Sequence, residues 1–348
     1  MPQRGMSSGE GQAAPSARLP RRQPERNLLH FPPRRHGVCS QRDMVSETQT
    51  RGRHRPAESA LHFQRRLTAW NRERLSPALP TSDWLEGLAE NSRMLELEGQ
   101  FVEHERCTIR ERIASVPRDP DAFVAWFEAL ESNGPGQNDA LFPWLADAAP
   151  LESMRWFLQQ EVAGEAGFDD LVALSQVKLS KAAKLELARN YWDEMGQGNA
   201  RGMHGPMLEQ LALALNLQHD CDDIVSESLA LGNLMVAFAT NRRYAYQSIG
   251  ALGVIELTAP GRAVCVNRGL KRLGLGGEVR RYFALHATLD VKHSEAWNRE
   301  VLRPLVAENP DVAAALAEGA LLRLAAGARC FERYRQELRS SAGLELCA

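Results

Sequence analysis

The sequence predicts an all-α fold from Ala57 onward, and three observations carry that prediction. Leu, Ala, Glu, Arg and Gln dominate, and runs of β-branched residues are few, which favours helix over strand. Proline and glycine recur at Pro77, Pro80, Pro117 to Pro120, Gly134 to Gly136, Pro150, Gly196 to Gly198, Pro260–Gly261, Gly274 to Gly277 and Pro310. They cut the chain into segments of about 10–20 residues, the ordinary length of globular helices. No self-similarity appears at roughly 33–47 residues, so the helices are not a stacked solenoid. The expected architecture is therefore a helical bundle around one core.

Residues 1–56 stand apart. They hold 11 Arg, no Lys, four acids and 7 of the 18 prolines, a charge of +7 in a chain whose total is −2, which leaves −9 for the rest. No apolar periodicity is sustained there, so the stretch reads as a disordered Arg/Pro-rich extension. A nucleic-acid-binding arm is disfavoured because stacking aromatics are nearly absent. An upstream extension, with the chain proper starting at Met44, is the simpler expectation, since MVSETQTRGRHRP leads straight into the first periodic segment.

Composition excludes further classes. No run of about 18 uncharged apolar residues occurs, so no membrane span is expected. The first residues are polar and Arg-rich, unlike a secretory signal. Cys39, Cys107, Cys221, Cys265, Cys330 and Cys347 are scattered and never spaced as CxxC, against a zinc ribbon or a disulfide framework. A reducing cytoplasm is the expected compartment. The acidic remainder offers no footprint for nucleic acid.

Residues 57–145 are expected to form an N-terminal helical module and residues 146–340 the main bundle. In the module, Glu103 and His104 of FVEHERC read as a solvated helix face. The bundle opens with RWFLQQEVAGEAGF, where Glu161 follows an amphipathic stretch (Met154, Trp156, Phe157, Leu158) and Glu165 lies one turn later on the same face as a competitor. Ser180 is a good N-cap for KAAKLELARNYWDEM, and Asn199 for ARGMHGPMLEQLALAL. Glu194 ends the first of these helices and His204 falls in the first turns of the second. The hinge Gly196-Gln197-Gly198 permits a tight turn that aims both at one point. An ordinary hairpin with an exposed Glu194 is the alternative. Tyr191 and Trp192 read as packing residues, and His219 in QHDCDD as part of a polar loop.

Between Arg243 and Arg262 the only charged side chain is Glu256, on a helix apolar nearly all round. A lone buried carboxylate needs a metal or a cation such as arginine beside it. Downstream, HATLDVKH places His286, Asp290 and His293 at offsets of 0, 4 and 7, within a sector of about 60° on a helix. Two imidazoles and a carboxylate on one face suit Fe, Mn or Zn, with a plain polar helix face as the alternative. Cys265 and Cys330 sit in apolar-rich helices and read as core thiols. Taken together, these are carboxylates and histidines from several helices, the way dimetal sites are built in bundles. Neither Glu194 nor Glu256 has a His three residues on, so the pattern is not ferritin-like.

These residues resemble the haem-oxygenase-like diiron oxidases and oxygenases, a family of iron-containing redox enzymes. The resemblance rests on Asn190 to Gly198 followed by His204, on Glu256 after Gly-Ala-Leu-Gly, on the His286/Asp290/His293 triplet, and on the 30-residue step from Glu256 to His286. It covers roughly residues 150–340. It implies a bundle of seven core helices holding two Fe(II) ions, with an iron–manganese pair as a variant. The implied ligands are Glu161, Glu194, His204, Glu256, His286, Asp290 and His293, with Glu165 able to replace Glu161. It also implies dioxygen activation with an external electron donor, acting on a small molecule by N-oxygenation, or by oxidative C–C or C–H cleavage of an amino- or fatty-acid-like substrate. No nucleic-acid or membrane partner is implied, and a homodimer is left open. The competing expectation is a ligand-binding or thiaminase-type protein of the same fold without redox chemistry. Haem oxygenase itself is disfavoured, because no His lies near Glu161.

Overall fold

The computed structural model describes residues 59–217 and 223–342. Expectations placed on residues 1–56 and on His219 fall outside them. The described residues are helical throughout, with no strand and one isolated antiparallel bridge between Met195 and Met203.

In chain order the helices are α1 (Ala60–Leu75), α2 (Trp84–Thr108), α3 (Arg110–Ile113), α4 (Pro120–Glu128), α5 (Leu130–Asn133), α6 (Leu141–Asp147), α7 (Leu151–Gly164) and α8 (Phe168–Ser175). They continue with α9 (Lys181–Glu194), α10 (His204–Ala214), α11 (Ser226–Thr240), α12 (Ala245–Arg272), α13 (Arg281–Trp297), α14 (Arg303–Glu308) and α15 (Val312–Ala342). A π-type turn, Asn298–Leu302, joins α13 to α14. The described residues fall in one compact unit. Within it the early helices pack on the later ones, α1 against α11 and α6 against α12. Buried amides fasten α1: Asn233 Nδ2 donates to the Gln64 carbonyl at 3.0 Å, and Asn71 Nδ2 donates to Asn233 Oδ1 at 3.0 Å.

Helix α12 is the axis of the core, flanked by α13, α15 and α6. Glycines let the backbones close up. A Cβ at Gly250 would strike the Leu316 carbonyl, and one at Gly319 would strike the Gln247 carbonyl, so α12 and α15 notch into each other. One turn before Glu256, a Cβ at Gly253 would lie 2.5 Å from Trp297 Nε1. The Gly-Ala-Leu-Gly run is therefore a packing surface that seats Glu256 in the core. By length and hydropathy alone, Arg242–Arg272 could cross a bilayer. Glu256 divides its apolar run in two. Neighbouring helices bury most of its apolar window.

Two sequence expectations about breaks are corrected. Pro260 does not end a helix: α12 runs through it. Proline has no N–H for the carbonyl four residues back, so the Glu256 carbonyl loses its helical donor while the surrounding core holds the helix together. Asn199 caps only a short turn, Ala200–Gly202, by accepting from Arg201 N at 3.1 Å, and α10 starts at His204. Ser180 does stand at the N-cap of α9, but its hydroxyl makes no capping bond.

Candidate metal centre

Three local devices bring the polar residues together. The first is the α9–α10 connection. Glu194 is the last residue of α9 and His204 the first of α10, as the hinge glycines predict. Gly196 (φ +58°) and Gln197 (φ +54°) are left-handed, and Met195 pairs with Met203. Gly196 packs directly on Gly202: a Cβ at Gly196 would lie 2.6 Å from the Gly202 Cα. The pinch brings His204 Nδ1 to 2.6 Å from Glu194 Oε2.

The second device is the helical period of α13, which presents His286, Asp290 and His293 on one face as predicted. His286 Nδ1 lies 2.7 Å from the Tyr282 carbonyl, one turn back. A carbonyl only accepts, so Nδ1 carries the proton and Nε2 keeps its lone pair. His293 Nε2 lies 3.1 Å from Asp193 Oδ2, which keeps a proton on Nε2 and makes Nδ1 the atom a metal would take, its binding displacing the proton there. A carboxylate or carbonyl behind an imidazole is the usual support of a metal-binding histidine. The third device is the seating of Glu256 described above. Asn190 Nδ2 donates to Glu256 Oε1 at 2.6 Å.

The ligand-type atoms of Glu194, His204 and His286 lie within 4.8 Å of one another, and so do those of Glu194, Glu256 and His293. Glu194 is common to both groups. The His204 and His286 rings meet edge to face, 4.7 Å between centroids. Asp290 is buried beside the second group, where Glu256 and Glu194 bear on its charge.

This donor set fits a metal. His204 Nδ1 and His293 Nδ1 are both buried and have no hydrogen-bond partner. Each nonetheless faces a carboxylate oxygen, at 2.6 Å on Glu194 and 3.4 Å on Glu256. Such close but misaligned pairs suit two donors directed at one ion, and mixed imidazole and carboxylate donors suit iron, manganese or zinc. Electrostatics agree. Burial, then the Glu256 charge, pushes the Glu194 carboxyl well above its usual range. Burial, with Glu256 next, also raises Asp290. Burial and neighbouring imidazoles lower His204 and His286 to about 4, so both rings are neutral with lone pairs available. Burial also acts to lower His293, but Glu256, Asp193 and Asp290 outweigh it and hold the ring up to about 10. Raised proton affinity at Glu194 and Asp290 is what crowded buried acids show without an ion, and divalent cations would take the place of those protons.

Of the seven sequence candidates, the structure gathers Glu194, His204, Glu256, His286 and His293 into the two groups and sets Asp290 beside them. Glu161 belongs to neither group. The charges that bear on it are those of Arg262 and Arg323. Glu165 accepts from the Gly167 and Phe168 amides at 2.9 and 3.2 Å, and its charge bears on Glu194. Asp193 and Asn190 were missed by the sequence reading. Both were legible: Asp193 adjoins Glu194, and Asn190 lies one turn before it. Trp192 is exposed and lies over Gly198, a packing role. Glu103 accepts from Tyr244 Oη at 2.8 Å and from Arg243 Nε at 3.1 Å, so it ties α2 to the start of α12 as well as meeting solvent.

The centre opens on a cavity of about 200 Å³, lined by apolar side chains such as Phe157, Leu158, Leu231, Ile255 and Phe283. A family model described as iron-containing redox enzyme matches residues 155–328, which include every residue of both groups. No curated protein matches the chain.

Proposed function

The chain belongs to the family of iron-containing redox enzymes, and from that premise we propose that it is a non-haem diiron oxidase or oxygenase acting on a small molecule. The observation that carries the proposal is Glu194, whose carboxylate belongs to both three-residue groups. A carboxylate with two oxygens is the natural bridge between two ions. Glu194, His204 and His286 would hold one, and Glu194, Glu256 and His293 the other, with Asp290 beside the second. Bound there, two Fe(II) ions, or an iron–manganese pair, supply reduction of dioxygen with electrons from an external donor and oxidation of the substrate.

The remaining work falls to the chain itself. The Tyr282 carbonyl and Asp193 fix the tautomers of His286 and His293. Asn190 of α9 holds Glu256 of α12 in place. Phe157, Leu158 and Phe283 exclude water from the cavity and offer an apolar surface to the substrate. Of the two acids near the end of α7, Glu165 is the one whose charge bears on Glu194, so it is the better candidate for a further ligand. A ligand-binding or thiaminase-type protein of the same fold has no need of several buried acids around three histidines.

Anaerobic loading with Fe(II), followed by Mössbauer spectroscopy and oxygen-uptake measurement, tests this reading. Two irons per chain and reductant-dependent oxygen uptake are expected. Wild-type protein that binds no more iron than the Glu256→Ala and His286→Ala variants would overturn it.

A further inference from the structure

The same cavity carries a second polar cluster of opposite sign. Arg262 of α12 and Arg323 of α15 both line it. Arg262 lies six residues beyond Glu256, roughly 9 Å along the helix at 1.5 Å per residue. Among the described residues, Glu161 is the one acid that bears on both arginines. Neither guanidinium forms an ion pair within 4.0 Å among the described residues. Arg262 Nη2 donates to Thr258 Oγ1 at 3.0 Å, whereas Arg323 Nε is buried without a hydrogen-bond partner.

The other groups around the pair add no negative charge. Burial pushes the Cys330 thiol up to about 12 and raises Tyr334, so both are neutral at physiological pH. Burial and the neighbouring Arg323 bring Arg262 down to about 10, which still leaves it charged. Two guanidiniums facing one carboxylate leave an unbalanced positive charge inside an apolar cavity. The Phe142 and Phe331 rings lie 6.0 and 5.7 Å from the Arg262 guanidinium, which shields it from water and limits its movement.

We infer that Arg262 and Arg323 anchor the carboxylate of a substrate whose remainder is apolar. A planar guanidinium fork matches a carboxylate in shape and charge. The surrounding wall of Phe157, Leu158, Leu231 and Ile255 accepts hydrocarbon and offers few polar partners. The arginines are the positive end of the cavity, so the anion is drawn to them and the hydrocarbon is left to reach toward Glu194 and His286. This orientation rests on the metal-centre reading above, but the anchor does not.

Octanoate and 1-octanol, which share a chain and differ in charge, are the probes. Their binding is measured calorimetrically on metal-free and Fe(II)-loaded protein, for wild type, Arg323→Met, Arg323→Lys and Arg262→Met. Octanoate is expected to bind at least about tenfold more tightly than octanol. The preference should vanish in Arg323→Met, weaken in Arg262→Met and be partly kept in Arg323→Lys, with iron content at the wild-type level in all. The inference is overturned if octanoate does not bind, if both probes bind equally, or if the preference survives in both methionine variants. It is also overturned if octanoate binds only with iron present and regardless of Arg323, which puts the carboxylate on the metal instead. If Arg323→Met fails to fold, the wild-type comparison of the two probes and Arg262→Met decide. Wild-type protein that takes up no iron, yet binds octanoate through Arg323, leaves the anchor standing and removes the diiron reading.

Discussion

Replacing Gly196 with alanine tests how the hinge holds Glu194 against His204. The residue is left-handed at φ +58°, which costs an alanine about 1–2 kcal/mol. Its Cβ would also lie 2.6 Å from the Gly202 Cα and the Met203 nitrogen, where ordinary contact begins near 3.4 Å. The two backbones must part by the better part of an ångström, an overlap that typically costs about 1–3 kcal/mol. The sum is a destabilisation of roughly 2–5 kcal/mol. His204 follows Met203 directly, so the same movement carries its Nδ1 away from Glu194 by several times the ~0.2 Å that a metal site tolerates. Urea unfolding of the metal-free protein gives the first quantity as a shift in midpoint at constant slope, and Co(II) titration at pH 7 gives the second. Gly202→Ala, whose Cβ would meet the Gly196 Cα at 3.0 Å, should cost less. Gly205→Ala, with nothing within 4 Å and a place in α10, should be neutral or stabilising by up to about 1 kcal/mol. A Gly196→Ala protein with the wild-type midpoint and wild-type metal titration refutes this role for the hinge.

Other expectations follow from the same contacts. Asp193→Ala removes the acceptor that fixes the His293 tautomer, so metal affinity should fall about 10–100-fold with the saturating stoichiometry unchanged; Asp193→Asn, which keeps an acceptor oxygen, should lose less. Equilibrium dialysis against limiting metal checks both, and equal affinities for all three proteins count against the orienting role. Glu194, Asp290 and His293 all bind protons more tightly folded than unfolded, Glu194 and Asp290 because burial disfavours their charge and His293 because Glu256, Asp193 and Asp290 outweigh burial. Their contribution to stability is present below the unfolded values and is lost as pH rises through the folded ones. His204 and His286, depressed to about 4, act in the opposite sense and only below about 6.5. The metal-free protein should therefore lose thermal stability between pH 6.5 and pH 9, and added Mn(II) should restore more of it at the upper end, because metal displaces those protons. A melting temperature that rises across that window without metal contradicts the shifts.

The parts of the centre that were legible in the sequence are those set by local geometry. Spacing of 0, 4 and 7 on α13 fixes one face whatever surrounds it, so His286, Asp290 and His293 could be grouped from the sequence. The glycine hinge likewise ties Glu194 to His204 over ten residues. Glu256 announced itself as a lone charge on an apolar helix. Glu161 was not decidable in this way, because its neighbours Arg262 and Arg323 come from α12 and α15, far along the chain, and only packing brings them to α7. Pro260 misled for a related reason: a proline breaks an isolated helix, but α12 is held by helices on several sides and keeps its course. The start of α10 moved from Asn199 to His204 because the Met195–Met203 pairing claims the intervening residues for a turn.

Iron stoichiometry in Glu194→Ala, set beside His204→Ala and His293→Ala, tests the shared carboxylate most directly. Elemental analysis after anaerobic Fe(II) loading and desalting gives the count, and circular dichroism confirms that each variant is folded. If Glu194 serves both groups, its loss should empty both positions, whereas His204→Ala and His293→Ala should each weaken a different one and retain about one iron per chain. A folded Glu194→Ala protein that retains as much iron as either histidine variant contradicts a centre built on that residue.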